Sequence, residues 1–148
     1  MEKIMYKATK DKLEEIGAKK IENEKSVLLP GKRKGAYDLF AEIGGKTVGI
    51  EILCRPTKKK LKAKLAYLPY VDNYVFVIPS NSLGLYRKSF AKVYKPVTRP
   101  KFFSSEFNNR NLSIWLCDIE KRKIIARARF NKIMNVLDKS LDKKSNIL

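Results

Sequence analysis

The sequence contains no histidine among its 148 residues. Histidine serves as the base of Ser-His-Asp and Cys-His sites and supplies imidazole ligands to metals, so these classes of site are excluded. Any chemistry in this chain therefore has to use carboxylates, lysines, tyrosines or a hard metal ion held by oxygen atoms.

Cysteine is scarce, and the two cysteines, Cys54 and Cys117, are too far apart to form a zinc-binding spacing. They are expected to act as small buried apolar residues in a reducing compartment. The first residues contain no apolar signal core, and no hydrophobic run approaches the length of a membrane span. A cytoplasmic protein that does not bind membranes is therefore expected.

Acidic residues are few relative to basic ones: 33 Lys and Arg stand against 15 Asp and Glu, which gives a formal charge of +18. Hydrophobic residues make up 44% of the chain, so it is not a disordered basic tail, and its length suits one domain. A charge of this size indicates a polyanionic partner, and nucleic acid, most simply DNA, is the first expectation. A basic protein without a specific polyanion is the alternative.

Two acidic residues, Asp38 and Glu51, lie on either side of the dipeptide Gly44-Gly45. A Gly-Gly pair between two β-rich runs is typical of a two-residue hairpin turn, because the favoured turns need positive φ. Such a turn fixes which residues of the two strands are directly opposed. Ile43 faces Lys46, Ala41 faces Val48, Leu39 faces Ile50, and Asp38 faces Glu51. Like charges opposed at about 5 Å destabilise a sheet. A divalent metal between the carboxylates would relieve the repulsion, and a hairpin with a solvated polar face is the alternative.

The alternation of side chains along the hairpin assigns its two faces. One face is apolar and should pack against the core; it carries Leu39, Ala41, Ile43, Val48, Ile50 and Ile52. The other face is mixed, and it carries Asp38, Phe40, Glu42, Thr47, Glu51 and Leu53.

The remaining pattern predicts a single α/β domain over residues 1–148, with a mixed central sheet and helices on its faces. The continuous apolar run in residues 73–79 is typical of a strand buried on both faces. The other predicted elements are helices over 2–19, 57–67, 82–94 and 127–142, strands over 26–30 and 112–117, a return strand at 124–125 and a frayed tail over 143–148.

From Glu2 to Cys117 the chain resembles the PD-(D/E)XK nucleases, which include restriction endonucleases and archaeal Holliday junction resolvases. The resemblance depends on the order of elements and on Asp38 and the segment Glu51-Ile52-Leu53. It implies a restriction-endonuclease-like fold in which Asp38 and Glu51 bind Mg²⁺ or Mn²⁺ and a lysine two residues after the glutamate assists the attacking water.

The sequence departs from this motif at two positions. Tyr37 replaces the usual proline, and Leu53 replaces the lysine. In some family members the lysine has moved to the following helix, where this chain has Lys58, Lys59, Lys60, Lys62 and Lys64. Lys58 and Lys64 lie nearest the apolar stripe of that helix, and Lys58 is the preferred substitute as a catalytic residue. Alternatively, the lysines form a solvated or phosphate-gripping face and the site is inactive.

The resemblance has two further implications. An additional acid from the first helix is common in the family, and Glu14 or Glu15 are candidates, although either could be an ordinary surface charge. Resolvase-like proteins usually act as symmetric dimers, so a homodimer through the predicted helix from Phe130 to Leu141 is compatible with the sequence.

Three basic clusters are predicted to contact nucleic acid. They contain Lys32, Arg33 and Lys34; Arg55, Lys58, Lys59, Lys60 and Lys62; and Arg99 and Lys101. Phe102 and Phe103 follow the third cluster and could stack on unpaired bases or pin a loop to the core.

The sequence thus predicts a nuclease-like DNA-binding protein with metal-dependent phosphodiester hydrolysis, and branched DNA is one candidate substrate. Two alternatives remain: an inactive nuclease-fold binding module, and a basic RNA-associated or architectural protein.

Overall fold

The computed structural model describes residues 1–83, 85–87, 94–96 and 107–133. Two α-helices occur in this part of the chain, α1 (Glu2–Glu15) and α2 (Lys58–Lys64). The strands are β1 (Lys19–Leu29), β2 (Arg33–Ile43), β3 (Lys46–Ile52), β4 (Asn73–Pro79), β5 (Leu85–Arg87), β6 (Tyr94–Pro96), β7 (Leu112–Asp118) and β8 (Lys123–Arg129). Short 3₁₀ segments cover Pro30–Lys32, Leu65–Tyr70, Ser80–Leu83 and Phe130–Lys132.

Six strands form one mixed sheet in the order β1-β2-β3-β4-β7-β8. The central pairs β3–β4 and β4–β7 are parallel, and the outer pairs are antiparallel. The α/β class and the central position of the apolar strand over residues 73–79 are confirmed. Strands β5 and β6 form a separate two-stranded ladder.

The main sheet is covered on both faces. Met5, Ala8 and Leu13 of α1 belong to a cluster that includes Leu39 and Ile50, the predicted apolar face of the hairpin. The opposite cluster contains Leu61 of α2 and is rich in aromatic rings: Tyr37, Tyr74, Phe76, Phe107 and Phe130. Rings of this kind bury a large area in edge-to-face and stacked contacts, such as the stacked pair of Phe107 and Phe130 at 5.1 Å between centroids.

The predicted hairpin register is confirmed from Ile43 opposite Lys46 to Leu39 opposite Ile50. Gly44 and Gly45 have φ of 58° and 77°, the left-handed conformation that a tight hairpin turn requires. The predicted N-cap of α2 is confirmed as well, since the Thr57 side chain accepts a hydrogen bond from Lys60 N at 3.2 Å.

Two predictions in the first quarter of the chain are wrong. The first helix ends at Glu15 rather than Lys19, because Gly17 has φ of 82° and turns the chain into a strand. That strand, β1, begins at Lys19 and not near Ser26. Residues 19–25 are mostly exposed and polar, so they lack the hydrophobic alternation that identifies a strand.

The predicted helices in the second half also differ from the structure. Residues 85–87 and 94–96 are strands rather than parts of a helix over 82–94, and residues 88–93 lie outside the described residues. The predicted return strand at 124–125 is present within β8, which extends to Arg129 and therefore includes the first residues assigned to a helix over 127–142. Residues 134–148, with the predicted tail, lie outside the described residues.

Two further findings concern partners and compartment. Phe130 and Ile133, at the start of the helix considered above for a dimer interface, are 1% and 0% exposed in this chain's own core. The rest of that helix lies outside the described residues, so the homodimer stays a prediction. Throughout the described ranges, no helix combines the length and apolarity needed to cross a bilayer.

Candidate active site at the end of β3

Asp38 lies at a break in the regular pattern of β2. Tyr37 packs into the aromatic cluster while Leu39 packs on the α1 side, although strict alternation would place both on one face. The regular β2–β3 pairing stops at Leu39. At the next residue toward the start of β2, the side-chain oxygen Asp38 Oδ2 accepts a hydrogen bond from Ile52 N at 2.7 Å. This bond holds the Asp38 carboxylate over the end of β3, beside Glu51, so the predicted proximity of the two acids is present.

Glu51 is a buried carboxyl group, with only 2% of the residue exposed. Its pKa is raised to about 8, first by burial and then by the charge of Asp38, while Lys64 opposes the shift. Its Oε1 atom has no hydrogen-bond donor in the described part of the chain. Asp38 is within hydrogen-bonding reach, but two carboxylates can bond only by sharing a proton. A buried polar atom without a donor is costly, so this oxygen lacks a ligand, a water or a proton.

Lys64 supplies the cation nearest to Glu51. Its Nζ lies 3.4 Å from Glu51 Oε2 and 4.9 Å from the centroid of the Tyr67 ring. The position follows from α2, because Leu61 is buried and a residue three places later lies on the same side of a helix. The side chain is 32% exposed, so solvent reaches the amine.

The predicted substitute, Lys58, is in the first turn of α2 and is exposed. Leu53 is half-buried and packs against the aromatic cluster, so the position of the motif lysine is apolar in structure as well as in sequence. The sequence included Lys64 among the alternatives, but it could not show that the last turn of α2, rather than its first, lies over Glu51.

The N-terminal end of α1 borders the pair of carboxyl groups, which the sequence did not predict. The pKa of the Tyr6 phenol is raised, first by burial and then by the charge of Asp38 and a hydrogen bond to it. Glu2 and Glu24 contribute smaller effects of the same sign. Glu15, one of the acids proposed from the first helix, is at the other end of α1 and pairs with Lys12 at 3.0 Å.

A wall of tyrosines closes the site from the aromatic side. The Tyr37 ring packs directly over Gly49, where a Cβ atom would lie 2.5 Å from Tyr37 Cδ1. Tyr37 donates a hydrogen bond from its hydroxyl to Tyr67 O at 2.6 Å, and burial together with the charge of Glu51 raises its pKa to about 12. Tyr74 is fully buried, and its hydroxyl has no partner among the described residues. The tyrosines therefore shield Glu51 from solvent on the aromatic side of the sheet.

The donor set of the site suits a small hard cation only in part. Within the ranges that the structure describes, no group of three or more Asp, Glu, Cys or His residues could hold a metal. Asp38 and Glu51 nevertheless present carboxylate oxygens side by side, and Glu51 Oε1 is free of a donor. Mg²⁺ and Mn²⁺ accept such a pair when waters and substrate phosphates complete the octahedron. The residues therefore fit one ion bound together with substrate.

Two of the predicted basic clusters adjoin this end of the sheet. The start of β2 and the finish of β3 are directed to the same end of the sheet, because the strands are antiparallel. Arg33 lies about 13 Å beyond the level of Ile52, since β2 is the longer strand. Lys32, Arg33 and Lys34 are exposed at the start of β2, and Arg55 is exposed just after β3, together with Lys58, Lys59, Lys60 and Lys62 on α2. Arg99, Lys101, Phe102 and Phe103 lie outside the described residues.

Comparison with known proteins returned no similarity: no protein-family model, curated protein or solved structure matches the chain.

Proposed function

We propose that this protein is a DNA-binding nuclease of restriction-endonuclease-like fold, which hydrolyses phosphodiester bonds with the help of Mg²⁺ or Mn²⁺. The observation that carries the proposal is the buried carboxyl group of Glu51, which lies beside Asp38 and has an oxygen atom without a donor. Burying a carboxyl group beside a second acid is costly, and a bound cation is the simplest compensation.

The residues have distinct roles in this proposal. Asp38 and Glu51 hold the metal, and the Asp38 orientation is fixed by Ile52 N. The metal, when bound, lowers the pKa of a coordinated water and stabilises charge on the phosphate. Lys64, 3.4 Å from Glu51, is close enough to orient the attacking water in place of the missing motif lysine. The Tyr6 phenol keeps the Asp38 carboxylate directed at the site.

DNA binding is supported by the basic residues on both sides of the carboxyl groups. The turn before β2 lies beyond the end of β3 on the same side of the sheet, and α2 begins six residues after β3. Lysine and arginine at such positions neutralise phosphates and bring the backbone to the metal site. Because these contacts are made to phosphates, affinity should depend on salt and only weakly on base sequence.

A second function is favoured by a different observation. Lys64 already forms an ion pair with Glu51, and Leu53 occupies the position of the motif lysine. An amine that neutralises the buried carboxylate can stabilise the fold without any metal. On this alternative the protein keeps the nuclease architecture and acts only by binding nucleic acid.

Cleavage assays separate the two functions. Labelled single-stranded, duplex, flap and four-way junction DNA would be incubated with Mg²⁺ or Mn²⁺ and wild type, Glu51→Gln or Glu42→Gln. Glu42 is a matched control on β2, because its carboxylate pairs with Lys20 at 3.5 Å and not with the site. Cleavage by wild type and Glu42→Gln but not by Glu51→Gln supports the nuclease. Salt-sensitive binding without cleavage by any of the three supports the binding module.

A further inference from the structure

Strands β1 and β2 extend beyond the rest of the sheet as a two-stranded arm, residues 25–36. Strand β3 pairs with β2 only from Leu39 onward, whereas β1 stays paired with β2 up to Leu29 opposite Arg33. From Ala36 to Arg33 the arm spans about 10 Å at the usual rise of a strand. The chain reverses at Pro30-Gly31, where Gly31 has φ of 76°.

One face of the arm is fixed to the body of the protein. Val27 packs against the aromatic cluster, and Leu29 is 7% exposed. Gly35 lies directly under Tyr67, because a Cβ atom there would be 2.5 Å from the Tyr67 hydroxyl oxygen. The arm is therefore held in place from this side.

The other face of the arm carries an exposed leucine among cations. Leu28 is 61% exposed and lies opposite Lys34 in the ladder, so the two side chains share this face. The arm contains Lys25, Lys32, Arg33 and Lys34 but no acidic residue. The exposed Pro30 follows at the tip. Lys34 is the cation beside Leu28 on this face, whereas Arg33, opposite Leu29, belongs to the fixed face. An apolar side chain next to positive charge, on an arm without acidic residues, is suited to a polyanion that has an apolar interior.

We propose that this arm enters the minor groove of a DNA duplex and that Leu28 inserts against a base step as an apolar wedge. The inference rests on the proposed DNA binding and adds a mode of recognition. Apolar wedges in the minor groove partly unstack a step and kink the duplex, while neighbouring cations hold the phosphates. Lys34 precedes Asp38 by four residues, so the distortion would lie about 13 Å along the strand from the carboxyl groups.

Unstacking can be measured with duplexes that carry 2-aminopurine at successive steps, because the fluorescence of this base rises when it leaves the stack. With saturating wild type, a several-fold rise at one or more steps is expected. Leu28→Ala should remove the rise, and Leu28→Phe should restore it. Ser26→Ala, a change on the same exposed strand, should behave as wild type. Lys34→Gln should lower the slope of log K against log salt by about one and keep the rise.

The outcomes distinguish the wedge from the general proposal. If wild type binds duplex but 2-aminopurine fluorescence does not change, or if Leu28→Ala gives the full rise, the wedge is wrong and DNA binding stands. If wild type binds no duplex at low salt, both are wrong. Thermal unfolding of each variant confirms that it is folded, which is expected because Leu28 is exposed.

Discussion

At the scale of single residues, Glu51 makes stability depend on pH. Its pKa is raised from 4.5 to about 8, so the folded protein keeps a proton that the unfolded chain has lost over this range. The contribution of Glu51 to stability is therefore greatest below pH 4.5 and is lost as the pH rises toward 8, by about 1.4 kcal/mol per pH unit. Glu51→Gln removes the titration, and it is expected to be more stable than wild type at pH 8, by on the order of a few kcal/mol.

Urea unfolding of wild type and Glu51→Gln at several pH values between 4 and 8 would measure this difference. The two free energies of unfolding should converge near pH 4.5. Parallel pH profiles would show that Glu51 titrates normally. Added Mg²⁺ should stabilise wild type at pH 8 and leave Glu51→Gln unchanged, since a bound cation favours the charged carboxylate.

Lys64 gives a second prediction at the residue scale. If its amine positions the attacking water, Lys64→Met should lower the rate of cleavage by on the order of 100-fold or more, with little change in DNA affinity. Single-turnover cleavage and equilibrium binding would be measured side by side. Lys59→Met, an exposed change on the same helix, is the matched control. If Lys58→Met lowers the cleavage rate and Lys64→Met does not, Lys58 is the catalytic lysine.

The two acids of the candidate site are easier to predict from the sequence than the lysine and the tyrosine beside them. Asp38 and Glu51 belong to one hairpin with a two-residue turn, so their separation follows from local geometry. Lys64 and Tyr6 come from helices, and their distance from the acids depends on how α2 and α1 pack on the sheet. The sequence contains no periodic pattern that shows how a helix is placed on the sheet.

At the scale of elements, the pairing of β2 with β3 depends on Gly49. Gly49→Ala should destabilise the protein by about 1–3 kcal/mol, because the new methyl group meets the Tyr37 ring. Tyr37 cannot easily retreat, since it is 2% exposed and its hydroxyl is bonded to Tyr67 O. Metal binding should weaken as well, because Tyr37 precedes Asp38.

A double-mutant cycle with Tyr37→Leu tests this clash. The smaller side chain should relieve most of the effect of Gly49→Ala, so the two changes should be strongly non-additive in chemical unfolding. Additive free energies would mean that the Tyr37 ring is not the obstacle.

The accuracy of the predicted elements follows the strength of the local pattern. The buried strand β4 and the hairpin were predictable because apolar runs and a Gly-Gly turn mark them. The sequence predicts β1 too short, because most of its residues are polar and exposed. Its conformation is fixed by pairing with β2. The end of β8 is predicted as helix because it directly precedes a helical apolar stripe that begins at Phe130.

At the scale of the whole molecule, the charge of +18 should control affinity for nucleic acid. Replacing Lys58, Lys59 and Lys62 with glutamine should reduce the slope of log K against log salt by about three if each contacts a phosphate. Fluorescence anisotropy over a salt series measures it. Lys7→Gln is the control, because Lys7 pairs with Asp11 at 3.3 Å on α1. An unchanged slope in the triple variant would place the phosphate contacts elsewhere.

The topology also implies an order of folding: Asp38 and Glu51 come together before Glu51 is buried. The β2–β3 hairpin closes a two-residue turn, whereas β4 pairs with β7 across roughly 40 residues of chain. Local hairpins form faster than distant parallel pairs. Asp38 and Glu51 are therefore expected to meet first in water, and the pKa of Glu51 should rise only when β4 and α2 cover it. Between pH 4.5 and 8 the late stage of folding should therefore be accompanied by proton uptake, and a lower pH in this range should favour it.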